Sequence, residues 1–232
     1  MVPAGGRQGR EDGDHAVSTQ RDLVEAAHVL ARLGLVTAYG HVSARAGSSM
    51  LITPAADLAT VAEPTLVEMP LEASSLPPTA PAEAWAHLAI YRARADAGAV
   101  ARAQPASAFA AAATTTSLTP LHGQAAWLGE SVPVHDSAHL LRSAELADRA
   151  ARCLPTGEAL LLRGNGALTL GATPGAAVAR MWLLSAACDA LLATRATGRV
   201  KPLTDEEIAS WRAVRHELLP RLWQHLRERS LA

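Results

Sequence analysis

The chain of 232 residues carries a formal net charge of −1, with 19% charged and 49% hydrophobic residues. That balance supplies one sizeable core and no broad basic field, so neither nucleic acid nor a membrane surface is expected as a partner. Only Cys153 and Cys188 occur, both in Ala- and Leu-rich stretches, which reads as two core thiols rather than a disulfide framework. No apolar run reaches the roughly 18 to 20 residues that span a bilayer, and the polar, Gly-rich start does not read as a signal peptide. The expectation is a soluble cytoplasmic protein.

Residues 1–17 lack apolar periodicity and read as a disordered tail, followed by a single domain over residues 18–232. Ser18 or Thr19 is positioned to cap a helix with Leu23, Ala26, Ala27, Leu30 and Leu33 at helical spacing, and Gly34 fits its stop. His41–Arg45 and Met50–Thr53, separated by Ala46-Gly47-Ser48, read as an antiparallel strand pair. The five prolines between Asp57 and Pro81 predict loop with one short strand near Leu66–Met69. A helix over Ala82–Arg94, a strand over Gly98–Ala103 and a helix opened by Pro105 follow.

Beyond a loop with His122, Gly129 and Val132–Val134, Ser143 caps a predicted helix to Cys153. Strands Ala159–Arg163 and Ala167–Leu170 flank the turn Gly164-Asn165-Gly166. Thr173-Pro174 opens an apolar helix to about Thr197, and Thr204 opens a last helix whose Trp211, Val214, Leu218 and Leu219 share one face for docking on a core or a neighbouring subunit. Helices around short, turn-connected strands predict an α/β/α sandwich with a largely antiparallel central sheet.

Read in order, these segments resemble a known family. Gly40-His41-Val42-Ser43-Ala44-Arg45 is similar to the Gly-Asn/His-Ile/Val-Ser-x-Arg signature of the class II aldolase/adducin family, and Leu51-Ile52-Thr53-Pro54 to its Ile-Thr-Pro segment. Glu83 with His87, Ile90 and Tyr91 resembles its Ser-Glu helix. Ala99-Val100-x-Arg102-x-Gln104-Pro105 resembles its Val-x-His-x-His-Pro strand end, and Leu161 to Gly166 its Leu-Leu-Arg-Asn-His-Gly turn. The resemblance covers about Leu23 to Arg195 and implies a fourfold ring, hence a homotetramer with sites between subunits.

In the family's metal-dependent members, three histidines hold a divalent ion, usually zinc, that polarises a carbonyl. The matching residues here are Arg102, Gln104 and Asn165. A guanidinium has no lone pair to donate and amides are poor zinc ligands, so no metal and no other cofactor is expected. The sugar-phosphate contacts are also replaced, by Ala55-Ala56 and Pro81-Ala82.

The resemblance makes Glu83 a general base, with Arg102 as a clamp for a carbonyl or carboxylate and His41 as a further acid/base. Gln104, Asn165, Ser43 and His122 complete the expected substrate-binding set. Each has a plainer reading: an ion pair filling the metal position for Glu83 and Arg102, a loop brace for His41, a surface residue for His122. His87 faces either the pocket or the core, and His135 and His139 read as incidental. The expected function is a metal-independent lyase, decarboxylase, dehydratase or cyclase in specialised metabolism, acting on a small, non-phosphorylated, fairly apolar carbonyl substrate. The alternatives are a non-catalytic assembly protein on the same fold and a metal enzyme with relocated ligands among His41, His87 and His122.

Overall fold

A computed structural model describes residues 8–195 and 197–229. In chain order its elements are α1 (Gln8–Arg32), β1 (His41–Ala46), β2 (Ser49–Ile52), β3 (Val67–Pro70), α2 (Ala84–Ala93), β4 (Ala99–Ala103) and α3 (Ala106–Thr114). Then come β5 (Ser117–Leu118), β6 (Val132–His135), α4 (Ala144–Ala151), β7 (Ala159–Leu162), β8 (Gly166–Gly171), α5 (Pro174–Arg195), α6 (Asp205–Ala213) and α7 (Arg215–Arg229).

The strands form one sheet in the order β3-β2-β1-β4-β8-β7-β6-β5. Every pairing is antiparallel except that of β6 with β7. Alternation along each strand feeds two cores, because successive side chains leave opposite faces of a sheet. Ala99, Ala101 and Ala103 of β4 pack with α1, α3, α5 and α7, whereas Val100 joins Leu160, Leu162, Leu168 and Leu170 against α2 and α4. The predicted sandwich and its largely antiparallel sheet are therefore what the chain forms.

Four local expectations need correction. Helix α1 begins at Gln8, ten residues before Ser18, and the first seven residues of the expected tail lie outside the described residues. Val132–Val134, read as part of a loop, lies in strand β6, since parallel pairing to β7 supplies partners that local pattern does not reveal. Helix α5 is long and apolar enough by composition to cross a bilayer, yet most of it is buried as the central helix of one core.

The last helix is broken at Val214 rather than continuous. The Trp127 indole donates to the Trp211 carbonyl at 2.9 Å, taking the acceptor that an unbroken helix would offer to Arg215. Trp211 and Val214 consequently stay exposed while Leu219 is buried, so these side chains do not form the single face expected.

Candidate active site

The site is built where one face of β1 meets α2. His41, Ser43 and Arg45 alternate toward that helix, and Glu83, His87 and Tyr91 repeat one helical turn apart on its facing side. Contacts join them rung by rung. His41 Nε2 lies 3.6 Å from Glu83 Oε2. Ser43 Oγ is 2.7 Å from His87 Nδ1 and 2.8 Å from the Tyr91 hydroxyl. The Arg45 guanidinium donates to the Tyr91 carbonyl at 2.8 Å and lies 4.9 Å from the centre of its ring.

Glu83 precedes the first turn of α2, where the helix dipole favours a negative charge, but its carboxylate makes no capping bond and turns to the sheet instead. Arg102 arrives from β4, whose register sets it opposite His41 on one side and Leu168 on the other. Asn165 is delivered by the β7–β8 turn. Gly166, at φ +86°, lets that turn rest on the end of β4, because a Cβ there would sit 2.2 Å from the Ala103 carbonyl.

The Arg102 guanidinium, 1% exposed, is thereby enclosed by oxygens. Its Nη2 donates to Asn165 Oδ1 at 2.6 Å and lies 3.2 Å from Glu83 Oε1. With the Gln104 amide turned so that both its ends are satisfied, its oxygen accepts from both terminal guanidinium nitrogens, at 2.6 and 3.1 Å, while its NH2 faces the Tyr39 carbonyl.

These neighbours set the charge state. Burial alone would push Glu83 upward, but the adjoining His41 and the Arg102 charge outweigh it and hold the carboxyl below its ordinary range. At 3.6 Å the His41 contact is an electrostatic approach rather than a well-formed hydrogen bond. Burial lowers His41 despite Glu83, and it holds His87 well below the usual imidazole range, with His41 and Arg102 acting in the same sense. The resting arrangement is an anionic Glu83, a cationic Arg102 and two neutral imidazoles.

A pH dependence of stability follows. The unfolded chain takes up protons near pH 6.5 that native His41 and His87 refuse, so stability is present above that pH and lost below it. Glu83, depressed in the native state, adds a loss of the same sign at lower pH, through and below 4.5. Chemical denaturation from about pH 8 to 5 should give a plateau and then a falling limb, each fully excluded proton contributing about 1.4 kcal/mol per pH unit. A flat profile to about pH 5 would contradict neutral buried imidazoles.

Of the residues expected in the site, the fold brings together His41, Glu83, Arg102, Gln104 and Asn165. Ser43, expected to bind substrate, is instead fully buried behind His41 and engaged by His87 and Tyr91. His122 makes no hydrogen bond or ion pair with the cluster; it precedes a 3₁₀ turn (Gly123–Leu128) whose Gly123 packs under Trp211 of α6. Sequence reading missed the link from Tyr91 to His87, and its legible signal was the match of alternate strand positions to every fourth helix position. It also missed Arg142, an exposed side chain whose charge reaches Glu83 and Arg102.

The metal implied by the resemblance does not fit these residues. A divalent ion would have to share its place with the buried Arg102 guanidinium, and among the adjoining groups only Glu83 and His41 are ordinary ligands, fewer than a divalent site needs. Among the described residues no three His, Cys, Asp or Glu side chains are grouped to hold a metal, at His135 and His139 or elsewhere. Cys188 is a buried thiol pushed up to about 12 by burial, while Cys153 is partly exposed, 3.5 Å from His135.

This sheet, flanked by helices and with a carboxylate at the start of α2, is the class II aldolase fold. The sequence model of the Class II Aldolase and Adducin N-terminal domain matches residues 21–192, and the chain belongs to that family. An L-fuculose 1-phosphate aldolase superposes with a TM-score of 0.77 at 24% identity, over 84% of this chain and 95% of that one. The L-fuculose-1-phosphate aldolase of Thermus thermophilus is 28% identical, with a TM-score of 0.70 over 78% and 97% of the two chains. An aldolase II superfamily protein from Pseudomonas syringae gives 0.76 at 21% identity over 92% of each. No curated protein matches the chain by sequence.

Proposed function

We propose that the chain is a metal-independent lyase-type enzyme that moves a proton at the carbon beside a carbonyl of a small, non-phosphorylated substrate. Glu83 is the base, and Arg102, held by Gln104 and Asn165, is the fixed cation that steadies the negative charge developing on the carbonyl oxygen. His41 is the adjoining acid/base. One observation carries this reading. Five buried side-chain polar atoms lack a hydrogen-bond partner among the described residues, and four belong to this cluster: His41 Nδ1, Glu83 Oε1, His87 Nε2 and Asn165 Nδ2. A purely structural ion pair is expected to satisfy such atoms, whereas a site that works on a ligand leaves bonding capacity in hand.

Exchange of the carbon-bound protons of hydroxyacetone or pyruvate with deuterium, followed by NMR, tests the proposal. Exchange above the buffer rate, undiminished by a chelator and with substoichiometric metal by elemental analysis, is the expected result. Loss of exchange on chelation, restored by zinc, would replace this reading with a metal enzyme. The homotetramer expected from the resemblance belongs to the same proposal, and light scattering reads it directly.

A second reading has an observation of its own. Glu83 is 8% exposed and Arg102 1%, so the cluster is filled largely by its own side chains. That packing suits a non-catalytic assembly protein, for which no carbonyl compound would show exchange.

A further inference from the structure

The polar chain behind His41 has a direction. Tyr91 is fully buried and held protonated by that burial, so its hydroxyl has one proton to donate. Ser43 Oγ stands between the phenol, at 2.8 Å, and His87 Nδ1, at 2.7 Å. Only one polarity gives both hydroxyl protons an acceptor: Tyr91 donates to Ser43, and Ser43 donates to His87 Nδ1. In the reverse sense the Tyr91 proton would point at nothing. The neutral imidazole of His87 therefore carries its proton on Nε2, an atom without a partner.

The next ring has the complementary need. His41 Nε2 faces Glu83 Oε2 and, as the nearer nitrogen to an anion, carries that ring's proton. Its Nδ1 is then a bare acceptor, also without a partner. The two rings stand edge to face with centroids 6.3 Å apart, and no hydrogen bond joins them in the resting arrangement.

We propose that His87 is a positioning residue of the site: the relay from Tyr91 through Ser43 fixes its Nε2–H, and this N–H holds His41 in the tautomer that donates to Glu83. The line runs Tyr91, Ser43, His87, His41, Glu83: hydrogen bonds join the first three, and the two rings must approach for the His87 N–H to reach His41 Nδ1 and press His41 toward Glu83. Its aligned dipoles favour the carboxylate form of Glu83. The pairing uses two of the four unpartnered atoms and leaves Glu83 Oε1, an acceptor that also faces Arg102 at 3.2 Å, and Asn165 Nδ2, a donor, both on groups that contact Arg102. The remaining pair suits a ligand presenting a hydroxyl next to a carbonyl oxygen. The inference rests on the reading of Glu83 as a base, but its test does not require turnover.

The experiment is nitrogen NMR of the full-length protein labelled with ¹⁵N-histidine, near neutral pH, with signals assigned through His41→Gln and His87→Gln. Both histidines should appear as Nε2–H tautomers, with His87 Nδ1 shifted as a hydrogen-bonded acceptor. Ser43→Ala should turn His87 into a tautomer mixture and carry His41 with it, while Ser43→Thr, which keeps the hydroxyl, restores the wild-type pattern. Tyr91→Phe supplies an independent arm and should weaken the acceptor shift at His87 Nδ1. His87 found as Nδ1–H in the wild type, or His41 signals unmoved in a folded Ser43→Ala or Tyr91→Phe protein, overturns the relay. Intact tautomers without any exchange of hydroxyacetone protons would uphold the relay and remove the enzymatic reading instead.

Discussion

Glu83→Gln is expected to yield a folded protein whose catalysed proton exchange is lower by about 10²- to 10⁴-fold, the usual cost of removing a general base. The substitution keeps the side chain's shape and an oxygen toward Arg102, and it removes only the charge and the basicity. Arg102 loses its counter-ion yet retains Asn165 Oδ1 at 2.6 Å and the Gln104 amide oxygen, so its bonding stays largely satisfied. The stability cost should accordingly be modest, on the order of 1 to 2 kcal/mol. Exchange rates and melting curves measured on the same preparation decide the matter. Undiminished exchange in folded Glu83→Gln protein would eliminate the mechanism.

Arg102→Met should act the other way round, chiefly on the fold. Methionine fills a similar volume but leaves Glu83, 8% exposed, with only the His41 contact at 3.6 Å. Stranding a buried charge in this manner typically costs about 3 to 5 kcal/mol. For a domain of this size that corresponds to a melting point lower by roughly 10 °C. Loss of the cation also removes a cause of the depressed Glu83 carboxyl, so its pKa should rise and the pH midpoint of any residual exchange should rise with it. Thermal unfolding beside a pH–rate profile separates these effects. An Arg102→Met protein as stable as the wild type would mean that the ion pair is not buried in solution.

The asymmetry between these substitutions could not be read in advance. Glu83, Arg102, Gln104 and Asn165 were legible as a group because each falls at a matching position of a family motif. That Arg102 is shared among three oxygen-bearing side chains depends on the register of β4 and on a turn resting against its end. Neither is a local property of the sequence. The alternating faces of β1 and the helical periods of α2 and α5 were legible, since local spacing dictates them.

What stayed hidden was decided by distant partners. The break at Val214 follows from the indole of Trp127, 84 positions before the Trp211 carbonyl to which it donates. Strand β6 exists because β7 pairs with it, and His122, at the start of a loop that packs under α6, makes no bond with the cluster. Ser43 looked like a ligand contact by motif, whereas the spacing of His87 and Tyr91 one turn apart places hydroxyl and imidazole partners over it. A helical wheel of α2 laid over the alternate positions of β1 would have exposed that connection.

The β1–α2 match also behaves as a vernier. Two strand residues advance about 6.7 Å and four helix residues about 6 Å, so the two scales diverge by about 0.7 Å at every rung. The contacts of 2.7 and 2.8 Å at Ser43 mark the middle rung as close, and at the far rung the long Arg45 side chain spans the offset to reach the Tyr91 carbonyl at 2.8 Å. The divergence shows at the opposite end, where the shorter His41 and Glu83 side chains stand 3.6 Å apart. A geometrical remainder of two unequal periods thus puts the slack beside the carboxylate, at the end of the ladder where a bound molecule would need room, while the tight rung keeps strand and helix in register.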